Sequence, residues 1–172
     1  MKNKLSKSIV TAAVAFVVTA AWAQELAVKC SNSTLSGEYA FRVSGEIFVP
    51  NSNTVAAYRD GVAMTWFNGQ GGLSQVDWVM SNGTPVSGPH NQYGFHDMET
   101  GSYTVNPDCT GQATIHFPIP PHGTSGAVIE LMFVIGDGGR TLHTVVSSLT
   151  PPNSTTPVPA NIHSDAVRVG GD

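Results

Sequence analysis

The sequence predicts an all-β fold, a single closed antiparallel barrel of about eight strands, with a β-sandwich as the alternative. Two observations lead to this class. No stretch after residue 23 has the apolar spacing that a long amphipathic helix needs. Instead, 18 glycines and 11 prolines divide the chain into short segments rich in Val, Thr, Tyr, Phe and Ile, which is the pattern of strands joined by turns.

The first three predicted strands are separated by short connections. The first strand alternates cleanly and places Tyr39, Phe41 and Val43 on one face. The sequence NGQGG at residues 68–72 separates the second and third strands, because its glycines and asparagine tolerate the positive φ angles of a tight hairpin. In chain order, these predicted strands span residues 37–49, 55–67 and 73–81.

The second half of the domain predicts four regular strands, which follow a less regular, glycine-interrupted one at residues 86–98 and bring the predicted total to about eight. A tight turn, GDGG at residues 136–139, joins the last two of them. The four predicted strands span residues 101–105, 112–117, 127–135 and 140–148.

The chain divides into three regions. Residues 1–23 are predicted to be a signal peptide, because three lysines precede an apolar run and the sequence AWA supplies the small residues of a cleavage site. Residues 24–149 hold the barrel, which we expect to be secreted or periplasmic and without an integral membrane segment. Residues 150–172 form a tail rich in proline and threonine, with a possible short edge strand at residues 166–169.

Charge and cysteine content narrow the function classes. The full chain has a net charge of −4, and the mature chain keeps five of eight basic and all twelve acidic residues, a net charge of −7. Such an acidic surface argues against nucleic acid as a partner.

Cys30 and Cys109 are predicted to form a disulfide, with two buried thiols as the alternative. Closing a loop of about 80 residues stabilises the fold by about 4–5 kcal/mol in the chain-entropy model.

Three motifs carry a resemblance to a known family. They are LSGEYAF at residues 35–41, FNGQGG at residues 67–72 and, most specifically, G-x-Y-x-V-x-x-D-C-T-G at residues 101–111. Residues 30–149 resemble secreted, mostly uncharacterised proteins with the calycin-type barrel of allene oxide cyclase-like proteins. Asn68 departs from the aspartate more usual in this hairpin. The resemblance implies a small antiparallel barrel. Some relatives catalyse cyclisations inside it, although no catalytic residue of the plant cyclases aligns with a position here.

Candidate catalytic residues are isolated, because the sequence has no nucleophile elbow and no phosphate-binding glycine motif. Glu130 interrupts an apolar run. If it faces the interior, burial would raise its pKa as a general acid requires, whereas the alternative leaves it in solvent and the bulkier apolar set in the core. Arg42 is its candidate partner, with the same outward alternative. His116 and His143, each on a predicted strand, complete the candidates.

The histidines do not predict a metal site or a cofactor. Residues 96–99 (HDME) gather possible ligands, but the histidines are scattered from His90 to His163. No His-x-His pair occurs on a predicted strand, where two ligands would share a face. We therefore expect a protein without a metal and without a cofactor.

The central hairpin supplies the predicted lining of the interior. Five apolar residues are expected to line it, namely Met64, Trp66, Phe67, Trp78 and Met80. The alternative is that side chains fill the core, as in many small eight-stranded barrels. The leading functional hypothesis is a secreted barrel of unknown activity that binds a small apolar ligand. A cyclase or isomerase acting on an apolar substrate inside the barrel is the alternative.

Overall fold

The computed structural model describes residues 29–119 and 123–170, and it confirms the all-β fold class. The predicted signal peptide, residues 1–23, lies outside the described residues. The strands are β1 (Ser36–Phe48), β2 (Val55–Asn68), β3 (Gly72–Ser81), β4 (Thr84–Pro85), β5 (His96–Val105), β6 (Thr110–His116), β7 (Val128–Gly136), β8 (Thr141–Thr150) and β9 (Ala160–Val169).

Eight of these strands close into an antiparallel barrel. The order around the barrel is β1-β2-β3-β5-β6-β7-β8-β9, and β9 returns to pair with β1 from Glu38↔Val169 to Ile47↔Ala160. The two-residue β4 pairs with β3 as one extra strand. The closed barrel is therefore the observed architecture, and the β-sandwich alternative is excluded.

The β2–β3 hairpin forms where the sequence NGQGG predicts it. Asn68 Oδ1 accepts hydrogen bonds from the backbone nitrogens of Gln70 (2.8 Å) and Gly72 (2.9 Å). Gly69 has a φ of 75°, which glycine adopts at little cost. The side chain of Asn68 therefore stabilises the turn, and the glycines allow the backbone conformation that the turn requires.

The C-terminal tail differs from its prediction. Instead of a short edge strand at residues 166–169, the ten-residue β9 lies between β1 and β8 and completes the barrel. Of its three buried residues only Ile162 is a large apolar one, and Ser164 and Ala166 are small, so the strand lacks the strong apolar alternation that marks a core strand. The proline-rich residues 151–159 connect β8 to β9.

One end of the barrel, termed the disulfide end, is sealed. Cys30 and Cys109 form the predicted disulfide there. Phe67 lies between two tyrosine rings, with ring centroids 5.3 Å from Tyr39 and 5.0 Å from Tyr103, in edge-to-face contacts. The Tyr39 hydroxyl donates to the Gly139 carbonyl, and the Tyr103 hydroxyl donates to the Leu35 carbonyl at 2.8 Å.

The opposite end, termed the loop end, carries the longer connections. These are residues 49–54, 82–95, 117–127 and 151–159, of which 120–122 lie outside the described residues. The two ends of the barrel therefore differ, because hydrogen bonds and a disulfide close one end and loops surround the other.

None of the helices in the described part of the chain is both long enough and apolar enough to cross a bilayer.

Candidate functional site

The barrel encloses a cavity of about 460 Å³. Most of its lining is apolar and comes from the inward faces of the strands, for example Phe41, Val43, Ile129, Leu131 and Val146. Prolines of the loop end, including Pro118 and Pro151, also line it. The cavity therefore reaches the end of the barrel that the disulfide does not seal.

A β-bulge in β5 brings two polar side chains to the cavity. Gln75 of β3 lies opposite Glu99, and Asp77 lies opposite His96, so three steps along β5 match two along β3. Between them, Met98 has a φ of 66° and a side chain in solvent. Regular alternation would put His96 and Glu99 on opposite faces, but the bulge buries both.

Asp77, His96 and Glu99 form a compact buried group, termed the acid–histidine cluster. Their potential ligand atoms all lie within 4.8 Å of one another. His96 Nδ1 is 2.8 Å from Asp77 Oδ1, and His96 Nε2 is 2.8 Å from the carbonyl oxygen of Val86. Because a carbonyl oxygen only accepts, Nε2 carries the hydrogen of this bond. The imidazole is thus oriented from both sides.

Glu99 is the most deeply buried member of the cluster, with 1% of its surface exposed. Its Oε2 accepts a hydrogen bond from Gln75 Nε2 at 2.8 Å, and Thr65 Oγ1 donates to Gln75 Oε1 at 2.7 Å. The other carboxylate oxygen, Oε1, is buried and accepts no hydrogen bond from the described part of the chain. Burial, followed by the charge of Asp77, raises the pKa of Glu99 to about 8. Burial also raises the pKa of Asp77, although its hydrogen bond with His96 opposes this.

Arg59 is a second polar group in the cavity wall. It lies on β2 opposite Ser81, towards the loop end, and its Nη1 is buried with no hydrogen-bond partner among residues 29–119 and 123–170. Burial lowers the pKa of the guanidinium, which nevertheless stays charged at neutral pH. The cavity wall therefore contains a hydrogen-bond donor for which the described residues supply no acceptor.

The four predicted catalytic candidates all lie on the outer surface. Arg42, His116, Glu130 and His143 are exposed. The inward orientation considered for Glu130 and Arg42 is wrong, because the bulkier apolar residues beside them take the interior positions. His143 forms a surface pair with Asp165, with Nδ1 2.6 Å from Oδ1. The structure thus brings none of these four side chains into the cavity.

Of the five predicted lining residues, Phe67 alone lines the cavity. The prediction is wrong for Met64, Trp66, Trp78 and Met80, which alternate with the lining residues and project from the outer face. Trp66 is 49% exposed. The larger apolar side chains of this hairpin lie outside, so choosing the more apolar face as the inner one fails here.

Sequence reasoning also missed part of the observed site. It noted the possible ligands at residues 96–99, but it did not connect them with Asp77. One signal was available: Asp77 shares its strand face with Leu73 and Val79, which makes it an acid on the face that forms the core. The bulge that orients Glu99 has no comparable signal, because Met98 is an unusual residue at positive φ.

No protein-family model fits the chain, and no curated protein is significantly similar to it. The resemblance to allene oxide cyclase-like proteins therefore stays a prediction from motifs. The barrel itself rests on the strand pairing described above.

Proposed function

We propose that the mature protein binds one small, mostly apolar molecule inside its barrel. The observation that carries this proposal is the cavity of about 460 Å³ with apolar walls. Small-molecule sites occupy roughly 300–1,000 Å³ and combine apolar walls with a few polar groups. A barrel filled by its own side chains would leave no space of this size.

The polar groups in the wall support a molecule that also carries an acceptor oxygen. Arg59 Nη1 is a buried donor that finds no acceptor in the part of the chain that the structure describes. An unsatisfied buried donor costs about 1–3 kcal/mol, and more when it is charged. A carbonyl, hydroxyl or carboxylate oxygen of the bound molecule would offset that cost and fix its orientation.

A second candidate function is catalysis of a cyclisation or isomerisation on the bound molecule. The favouring observation is that Asp77, His96 and Glu99 all contribute to the cavity lining. Carboxyl and imidazole groups move protons in such reactions, and an apolar enclosure keeps competing water away. The reaction would take place where the apolar cavity meets the acid–histidine cluster.

The proposed place of action is outside the cytoplasm, in the periplasm or the medium. A disulfide links Cys30 to Cys109, and such bonds persist in oxidising compartments. The amino-terminal sequence has the composition of a signal peptide. Together they support secretion of the mature barrel.

Binding is tested by titrating the oxidised mature protein with N-phenyl-1-naphthylamine, an apolar dye that fluoresces in apolar sites. Val146 lines the cavity, whereas its neighbour Val145 projects outward and is 54% exposed. Val146→Trp should lower dye affinity at least tenfold by filling space. Val145→Trp is the matched control and should bind as the wild type does.

Equal dye binding by both tryptophan variants would contradict an interior site, as would no saturable binding to the wild type. Catalysis is tested separately with the molecule that native mass spectrometry finds bound to protein from its own secretion. Conversion of that molecule by fresh protein, and its loss in Asp77→Asn, is expected if the second candidate is correct. Unchanged molecule with intact dye binding would leave binding as the function.

A further inference from the structure

We propose that the acid–histidine cluster binds one divalent first-row transition-metal ion in the wall of the cavity. Asp77, His96 and Glu99 come from two neighbouring strands, and their donor atoms lie within 4.8 Å of one another. One imidazole nitrogen and two carboxylate oxygens form a donor set that such ions accept. This site goes beyond the proposed binding of a small molecule and does not depend on it.

The orientation of His96 is that of a metal ligand. Its Nε2–H donates to the Val86 carbonyl, which leaves Nδ1 to face Asp77 and Glu99. Histidine ligands commonly donate their other ring N–H to a backbone carbonyl, which fixes the tautomer and aims the lone pair at the metal. Val86 would therefore act as the outer partner of the site.

Glu99 provides an independent observation that points to a cation. Although the residue is almost completely buried, Oε1 accepts no hydrogen bond from any residue that the structure describes. Its Oε2 is held by Gln75, which is in turn held by Thr65. Buried polar atoms are nearly always satisfied by a protein group, a water or an ion, so an oriented but unpartnered carboxylate oxygen has the character of a metal ligand.

The charge of the cluster also favours a divalent ion. Metal binding requires a neutral imidazole and two deprotonated carboxylates, and these three ligands together would carry a charge of −2 in an apolar wall. Among the described residues, neither Asp77 nor Glu99 forms an ion pair with a lysine or an arginine. A divalent cation would neutralise both carboxylates without adding a bulky side chain to the cavity.

The three ligands also favour some metal ions over others. Three protein ligands leave at least one coordination position, as in catalytic rather than structural zinc sites. Because all three residues line the cavity, that position would be available to an oxygen of the bound molecule. Calcium takes six to eight oxygen ligands, and magnesium keeps several waters, so both fit this site less well than Zn²⁺, Fe²⁺ or Mn²⁺.

The test is a titration of the oxidised mature protein with Co²⁺ after treatment with EDTA and removal of the chelator. We expect one equivalent to bind with a visible absorption band, Zn²⁺ to displace it, and millimolar Mg²⁺ to leave it in place. Asp77→Asn and Glu99→Gln should each weaken binding at least tenfold. Asp165→Asn removes the acid of the surface pair with His143 and is the matched control, so its binding should equal that of the wild type.

Circular dichroism and the retained disulfide establish that each variant is folded. If Asp77→Asn does not fold, Glu99→Gln and the milder Thr65→Val, which removes a hydrogen bond behind Gln75, decide the question. Absence of a stoichiometric cobalt spectrum in the wild type would overturn the proposal, and so would equal binding by the folded cluster variants. Dye binding that persists in either case would show that the small-molecule proposal stands by itself.

Discussion

Burial changes the protonation of the carboxyl group of Glu99. Its carboxyl group lies in the cavity wall beside Asp77, where low polarity and a neighbouring acid both favour the protonated form. Burial raises the pKa of Asp77 in the same direction. In the metal-free protein, each of these groups therefore binds a proton more tightly when the chain is folded than when it is unfolded.

The metal-free protein should consequently lose stability as the pH rises. Below a pH of about 4.5 the Glu99 carboxyl is protonated in both states and costs nothing. Between that pH and about 8, the unfolded chain releases the proton while the folded chain keeps it. The free energy of unfolding should fall there by at most about 1.4 kcal/mol per pH unit for this group.

Urea denaturation in EDTA, repeated across this pH range, measures the effect. Glu99→Gln carries no titrating group at this position and should flatten the slope. A slope that is the same in wild type and variant would show that Glu99 does not hold its proton in the folded state.

The bulged strand β5 is the element that creates the candidate site. Met98 adopts a φ of 66°, so that His96 and Glu99 face the same interior. A non-glycine residue in the left-handed region costs roughly 1–2 kcal/mol. The fold tolerates this cost at a position next to the acid–histidine cluster, which agrees with the frequent placement of bulges beside functional sites.

Substitutions at Met98 should therefore test whether its backbone has a strained, positive φ angle. Met98→Val places a β-branched side chain at positive φ and should destabilise the protein by about 1–2 kcal/mol. Met98→Gly should be neutral or stabilising. Ser102→Val, on an exposed and regular position of the same strand, is the control and should not destabilise. Denaturant midpoints measure all three, and equal loss in Met98→Val and Met98→Gly would contradict the assigned bulge.

At the scale of the whole molecule, barrel closure depends on the last strand. β9 pairs with β1 on one side and β8 on the other, so its loss would open the sheet and expose two edges. A chain ending at residue 159 should fail to fold cooperatively, whereas a chain ending at residue 169 should melt like the full protein. Circular dichroism melting curves distinguish these outcomes. A cooperative transition in the shorter chain would show that β9 is dispensable.

The sequence predicted most of the barrel because alternation and turn chemistry are local. The hairpin at Asn68 and the strands of residues 37–49 and 55–67 follow from such signals and agree with the structure. The acid–histidine cluster could not be predicted in this way, since Asp77 and Glu99 meet only through strand pairing and a bulge. Trp66 was predicted to line the interior but projects outward, because side-chain size does not identify the inner face of a barrel that holds a cavity.

The central claim is that the barrel encloses a cavity and does not have a core filled by its own side chains. Crystals of the mature protein pressurised with xenon test it most directly, because xenon enters apolar cavities and its anomalous scattering locates it. We expect xenon inside the barrel, against the inner face of β7 and β8 and close to Leu131 and Val146, and no xenon there in Val146→Trp. A wild-type interior packed with side chains and free of xenon would contradict the account.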